Sequence, residues 1–211
     1  MSKLAIFGGD PVRKDPYPNY NTIAEGEKKL VLEVLDSGVL SDFVALRGAY
    51  FLGGKMVIEL ERLFCERFGT RFAVSFNSAT SGLHAAVAAA EVGPGDEVVV
   101  TACSMSATAS AIVMQSGIPI FGDIERDIFN LDPTDVETKV TPETKAIMVA
   151  NLIGHPASLG PLREIADRHG LFLIEDNAQA PGALYHGRWA GTVGHMGVFS
   201  LNCHKTIQCG E

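Results

Sequence analysis

Four short stretches carry the side chains that could do chemistry. They are Asn77-Ser78-Ala79-Thr80-Ser81-Gly82, Ala102-Cys103-Ser104-Met105, Asp176-Asn177-Ala178-Gln179 and Asn202-Cys203-His204-Lys205. In the first, small residues run straight into a helix-forming segment. Amides at such a helix start, beside the Thr80 and Ser81 hydroxyls, suit a phosphate, although Ser78 or Thr80 could equally serve as a plain N-cap. Asp176 ends the apolar run Leu171-Phe172-Leu173-Ile174-Glu175, where a carboxylate can meet a cationic group or simply cap the next turn. Lys205 follows Ser200-Leu201-Asn202. A partly desolvated lysine there can act as nucleophile or base, whereas most lysines are solvated surface charges. A phosphate cradle, a strand-end carboxylate and a sequestered lysine are together what pyridoxal phosphate requires.

The elements that must position these residues are readable from residue 72 onward. Apolar runs at Phe72–Phe76, Glu97–Thr101, Ile118–Phe121, Ala146–Leu152, Leu171–Glu175 and Gly197–Leu201 alternate with helical patterns. The helices are expected near Thr80–Ala90, Ser106–Ser116, Pro133–Lys139 and Leu162–His169, the last closed by Gly170. Such alternation predicts an α/β layered domain around a largely parallel, buried sheet, with ligands beyond the carboxyl ends of the strands. Upstream, Lys3 to Asn21 reads as an extended arm rich in Pro, Gly and Tyr. A helix is expected over Glu25–Leu35, stopped by Gly38. A second amphipathic helix follows Gly54, with Val57, Leu60, Phe64 and Phe68 along one face.

The 211 residues are 46% hydrophobic, 20% charged and 8% aromatic, ordinary values for a globular domain. A folded chain of this size buries roughly 70% of the surface its unfolded form exposes. With 25 acidic against 17 basic residues the formal net charge is −8, and no basic stripe exists to meet nucleic-acid phosphates. No apolar run approaches the ~20 residues of a membrane span, and no signal-peptide pattern opens the chain. The four dispersed cysteines read as reduced thiols, and a cytoplasmic location is expected. There is no HExxH or paired-cysteine spacing for a metal. No GxGxxG follows a strand, since Gly93-Pro94-Gly95 precedes one.

The segments "EDNAQAPGA" (Glu175 to Ala183) and "GVFSLNCHKTIQCGE" (Gly197 to Glu211) resemble the DegT/DnrJ/StrS family of pyridoxal-phosphate-dependent aminotransferases. "NSATSGLHAAVAA" (Asn77 to Ala89), "VGPGDEVVV" (Val92 to Val100), "SATASAI" (Ser106 to Ile112), "TPETKAI" (Thr141 to Ile147) and "FGGDPVR" (Phe7 to Arg13) add to the likeness. The resemblance implies the three-layer α/β/α large domain of a type I aminotransferase. It also implies that Lys205 carries pyridoxal phosphate as a Schiff base and that Asp176 pairs with the pyridinium nitrogen. Gln179 would lie near the phenolic oxygen, Thr80, Ser81 and Ser200 would hold the phosphate, and Met105 would stand where many relatives stack an aromatic residue. Met105 serves equally well as core filling. His204, beside the lysine, is read as structural or solvated.

The implied reaction moves an amino group from glutamate or glutamine to a keto-sugar, often nucleotide-linked, or to a cyclitol. A homodimer with its site at the subunit interface is implied, without nucleic acid, membrane or metal. On this reading residues 1–56 form the arm and first helix, and residues 57–211 form the cofactor-binding large domain, incomplete at its C-terminal end. Relatives continue past "GEGG" into a further strand and a small C-terminal domain. The expectation is a sheet lacking its last, antiparallel strand between Phe72–Phe76 and Gly197–Leu201, so that two edges stay unpaired. An inactive cofactor- or partner-binding fragment is the alternative reading. Sugar dehydratases of the superfamily place histidine at the lysine position, and Lys205 argues against that reaction.

Overall fold

Val98, Val99 and Val100 are fully buried yet belong to two different cores, which places both faces of their strand under helices. The computed structural model describes residues 3–16, 23–44, 46–48 and 51–209. The part of the predicted arm at 17–22 and the final Gly210-Glu211 lie outside the described residues. The chain divides into two compact units, Met1–Asp42 and Phe43–Glu211.

The first unit holds a single 3₁₀ turn, Ala5–Phe7, and helix α1, Glu25–Ser37. The helix starts where the Glu27 carboxylate accepts the Ala24 amide at 2.8 Å. It stops at Gly38, which takes the left-handed conformation at φ 69°.

The second unit opens with α2, Lys55–Phe68, whose Phe64 and Phe68 rings pack on Phe199, and Phe68 also on Trp189. Helix α3 (Ala79–Ala89) and strand β1 (Glu97–Thr101) follow, then α4 (Ser106–Met114), β2 (Ile118–Gly122), α5 (Pro133–Lys139) and β3 (Thr144–Ala150). Next come α6 (Leu159–His169), β4 (Phe172–Asp176), β5 (Leu184–Tyr185), β6 (Arg188–Trp189) and β7 (Met196–Val198). Five strands form one sheet in the order β2-β1-β3-β4-β7, and every neighbour is parallel. One core joins Leu83, Val87 and Ile112 of α3 and α4 to Val98, Val100, Met148 and Ile174. The other joins Val136, Leu162 and Ile165 of α5 and α6 to Val99, Ile147, Val149 and Leu173. The result is a three-layer α/β/α arrangement: the parallel sheet follows the sequence pattern, and the three layers are those the resemblance implies.

One predicted strand is absent. Phe72–Phe76 pairs with nothing in the sheet, and Phe72, Val74 and Phe76 are exposed. At Ser75 the amide and hydroxyl both donate to Glu61 Oε1 of α2, at 2.7 and 3.0 Å, so that amide is satisfied by a side chain and not by a ladder. The β5–β6 hairpin escaped the sequence reading, because two-residue strands carry no periodicity. Its turn, His186-Gly187, has φ of 47° and 82°, matching the strand twist. Among the described residues no helix is long and apolar enough to cross a membrane.

Candidate active site

At the carboxyl end of the sheet a cleft of about 1370 Å³ opens between α3, α4 and the segment after β7. Thr80, Met105, Asp176, Gln179, Ser200 and Lys205, six of the seven residues singled out in the sequence, all line it, together with α2 and the segment 69–77. Ser81 does not line it. Its amide donates to the Ser78 side chain at 3.1 Å, and its hydroxyl lies 3.1 Å from Ser78 Oγ, so that pair builds the N-cap. Thr80 sits in the first turn of α3, where backbone amides lack intrahelical acceptors. A β-carbon at Gly82 would stand 3.0 Å from Val198 Cγ1, so any larger residue there would press Val198 back by a few tenths of an ångström.

Asp176 is the last residue of β4 and is buried. Its Oδ2 accepts the Thr108 hydroxyl of α4 at 2.7 Å, and its Oδ1 accepts the Ala178 amide at 3.2 Å. Burial pushes its carboxyl above the ordinary carboxylate range, while Thr108, Ala178 and the Lys205 charge oppose that push. Thr108 in turn stands 2.7 Å from Ser104 Oγ, and Ser104 lines the cleft. The sequence reading missed Thr108, since a threonine in the first turn of a helix gives no local sign of a partner 68 residues away.

Lys205 is half-buried in a turn whose backbone amide donates to the Asn202 carbonyl at 2.9 Å. Ser200 is buried, and its hydroxyl accepts the Asn202 amide at 3.4 Å. Gln179 accepts the Ile153 amide through Oε1 at 3.0 Å, which leaves its –NH₂ as the end available to an acceptor. Ile153 adopts φ 54°, an unusual conformation for a β-branched residue, and this hydrogen bond helps hold it. Met105 is 64% exposed at the N-cap of α4, so it is not core filling. His204 is exposed.

Beneath the cleft lies a second polar group that the sequence reading did not anticipate. Glu175 is fully buried. It accepts the amides of Gly191 (2.6 Å), Val193 (2.8 Å) and Gly194 (2.6 Å), and the Asn151 side-chain amide at 3.0 Å. Asn151 also donates to Asn177 Oδ1 and accepts the Ala157 amide. This network ties the ends of β3 and β4 to the turn that feeds β7. Among the described residues no group of three or more His, Cys, Asp or Glu side chains could hold a metal ion.

The chemistry these groups can do together is definite. A buried carboxylate faces a cleft that also holds an amine, and a helix start offers hydrogen-bond donors to an anion. An aromatic cation bearing a phosphate satisfies both ends.

Comparisons with known proteins agree. A family model described as the DegT/DnrJ/EryC1/StrS aminotransferase family matches residues 27–211. The chain is 39% identical to the L-glutamine:2-deoxy-scyllo-inosose aminotransferase of Streptomyces kanamyceticus, over 100% of this chain and 48% of that protein. It is 36% identical to the GDP-perosamine synthase of Caulobacter vibrioides, over 88% of this chain and 47% of that protein. The E. coli GDP-4-keto-6-deoxy-D-mannose-3-dehydratase, solved with bound hydrated pyridoxal phosphate, superposes with a TM-score of 0.78. It is 30% identical, covering 90% of this chain and 47% of that one. The chain thus spans about half the length of the relatives it matches.

Proposed function

The chain belongs to the DegT/DnrJ/EryC1/StrS aminotransferase family, and from that premise we propose that its cleft binds pyridoxal phosphate to carry out amino transfer. The donor is glutamine or glutamate, and the acceptor is a keto-sugar, often nucleotide-linked, or a cyclitol. The names of the two aligned relatives support those substrate classes. One observation carries the reading: Asp176 and Lys205 line the same cleft as the start of α3.

When bound, pyridoxal phosphate supplies an electron-accepting ring for the electron pair left at a substrate carbon as its proton departs. The protein's residues then have separate tasks. Asp176, as an anion, holds a proton on the ring nitrogen, because an opposite charge nearby favours the charged form. Lys205 Nζ would hold the group covalently, and its amine would take and return a proton as general base. Thr80 and the first-turn amides of α3 would receive the phosphate, with the Ser200 hydroxyl beside them, while Ser81 stays in the N-cap with Ser78. Gln179 donates through its –NH₂ to the phenolic oxygen, its Oε1 being committed to Ile153. Met105, exposed in the cleft, would offer its thioether to the ring. A second copy of the chain is proposed to complete the substrate pocket, in a cytoplasmic enzyme.

The test is a titration with pyridoxal phosphate followed by visible absorbance, then borohydride trapping and mass mapping. The expected result is one adduct, on Lys205, that Lys205→Ala abolishes. Labelling scattered over surface lysines would overturn the assignment.

A further inference from the structure

A threonine in a helix commonly returns its hydroxyl to the carbonyl four residues back. Thr108 does otherwise. Its hydroxyl is buried and bridges two side chains, Asp176 Oδ2 at 2.7 Å and Ser104 Oγ at 2.7 Å. Proton inventory fixes the direction. An ionised Asp176 only accepts, so the single Thr108 hydrogen goes to it, and Ser104 must donate to Thr108.

We propose that Ser104 and Thr108 form a directional hydroxyl relay that holds Asp176 as an oriented anion, with Thr108 as a positioning residue for the cofactor site. The cofactor part of this statement rests on the reading above; the relay itself stands on these distances. Three groups support the Asp176 anion against its burial: Thr108 on Oδ2, the Ala178 amide on Oδ1, and the positive charge of Lys205 from the turn after β7. Thr108 makes the shortest of the two hydrogen bonds and comes from a different element, α4. It therefore sets the carboxylate's rotation about the end of β4. Because Ser104 lines the cleft, a group that hydrogen-bonds to Ser104 polarises the relay and is felt at Asp176. The relay has a second setting. If Asp176 is protonated, it donates to Thr108 and the Thr108 hydrogen turns to Ser104.

Simple helix-to-sheet pinning makes a different forecast, because valine fills the same space as threonine. The discriminating experiment is a ¹³C NMR titration of the Asp176 carboxyl in the cofactor-free full chain, with the resonance assigned by its loss in Asp176→Asn. Thr108→Val should raise the pH at which Asp176 titrates by roughly one to two units, the worth of one charge-assisted hydrogen bond. Thr108→Ser, which keeps the hydroxyl, should titrate like the parent. Ser104→Ala should shift upward by less, and it answers the same question should the valine variant not fold. An unmoved titration in Thr108→Val, or in Ser104→Ala where valine fails, overturns the relay whatever the cofactor does. With pyridoxal phosphate added, Thr108→Val should bind about ten-fold more weakly than Thr108→Ser. Failure of the parent chain to bind at all would strike the cofactor reading and leave the titration result standing.

Discussion

Glu175 offers the sharpest test of how the cleft is held together. Its carboxylate is fully buried and receives three backbone amides and one side-chain amide, at 2.6 to 3.0 Å. In Glu175→Gln one oxygen becomes an –NH₂. If Oε1 is kept for Val193 and Gly194, the new donor faces the Gly191 amide and the Asn151 Nδ2, which are donors themselves. Two buried hydrogen bonds are lost, each stranded donor costing ~1–3 kcal/mol, and the remaining pair loses its charge assistance. The sum is about 3–5 kcal/mol, within the range seen when one partner of a buried charged network is removed. Against a total stability on the order of 5–15 kcal/mol, that is a large fraction. Urea unfolding reads it directly, because Trp189, the chain's single tryptophan, neighbours the turn that Glu175 holds. A loss below about 1 kcal/mol, with an unchanged urea slope, would refute the idea that this carboxylate organises the turn.

Three further outcomes follow from other sites. Burial raises the Asp176 pKa, so the native state binds this proton more readily than the unfolded chain, and the ionised group costs stability above its folded pKa. Cofactor-free Asp176→Asn should therefore melt above the parent at pH 7, with the gap closing as pH falls toward about 4; a lower melting point at pH 7 would contradict this. Burial, then the Arg163 charge, lowers the His195 pKa while Asp167 raises it, and His195 Nδ1 accepts the Leu173 amide at 2.9 Å. Below about pH 6.5 the unfolded chain takes the proton first, so stability falls as pH drops. His195→Gln should flatten melting temperature between pH 7 and 5, and an unaltered slope would count against it. A β-carbon at Gly197 would overlap the Gly191 carbonyl, so Gly197→Ala should displace β7 and lower the melting temperature by more than 5 °C, as differential scanning fluorimetry would show.

Much of this was legible in the chain because burial on both faces leaves a plain signature. Val98-Val99-Val100 and the Ala146–Ala150 run could only be interior strands, and the residues just past them had to gather at one end of the sheet. Thr80, Met105, Asp176, Gln179 and Lys205, which line the cleft, stand in the stretches that rule selects, whereas Ser200 was named only through the family resemblance. What stayed hidden depends on pairing between distant residues. Phe72–Phe76 has the apolar texture of a strand and was expected to stand unpaired on one side, but nothing in that texture announces that Glu61 accepts the Ser75 amide. Glu175 looked like the end of an apolar run, although its acceptors are filled by a turn 16 to 19 residues downstream. Thr108 was invisible for the same reason.

The all-parallel sheet also dictates when the site can exist. No two of its strands are joined by a hairpin, so each pairing must wait for an intervening crossover, a topology that folds slowly. During synthesis the chain emerges from its amino end, and β7 with Lys205 behind it leaves the ribosome after the other four strands. Asp176 comes to rest beside α4 before its amine exists. On the function proposed above, covalent capture of pyridoxal phosphate by Lys205 would report that these five strands have assembled, and a pulse of the cofactor during refolding would time the arrival of β7.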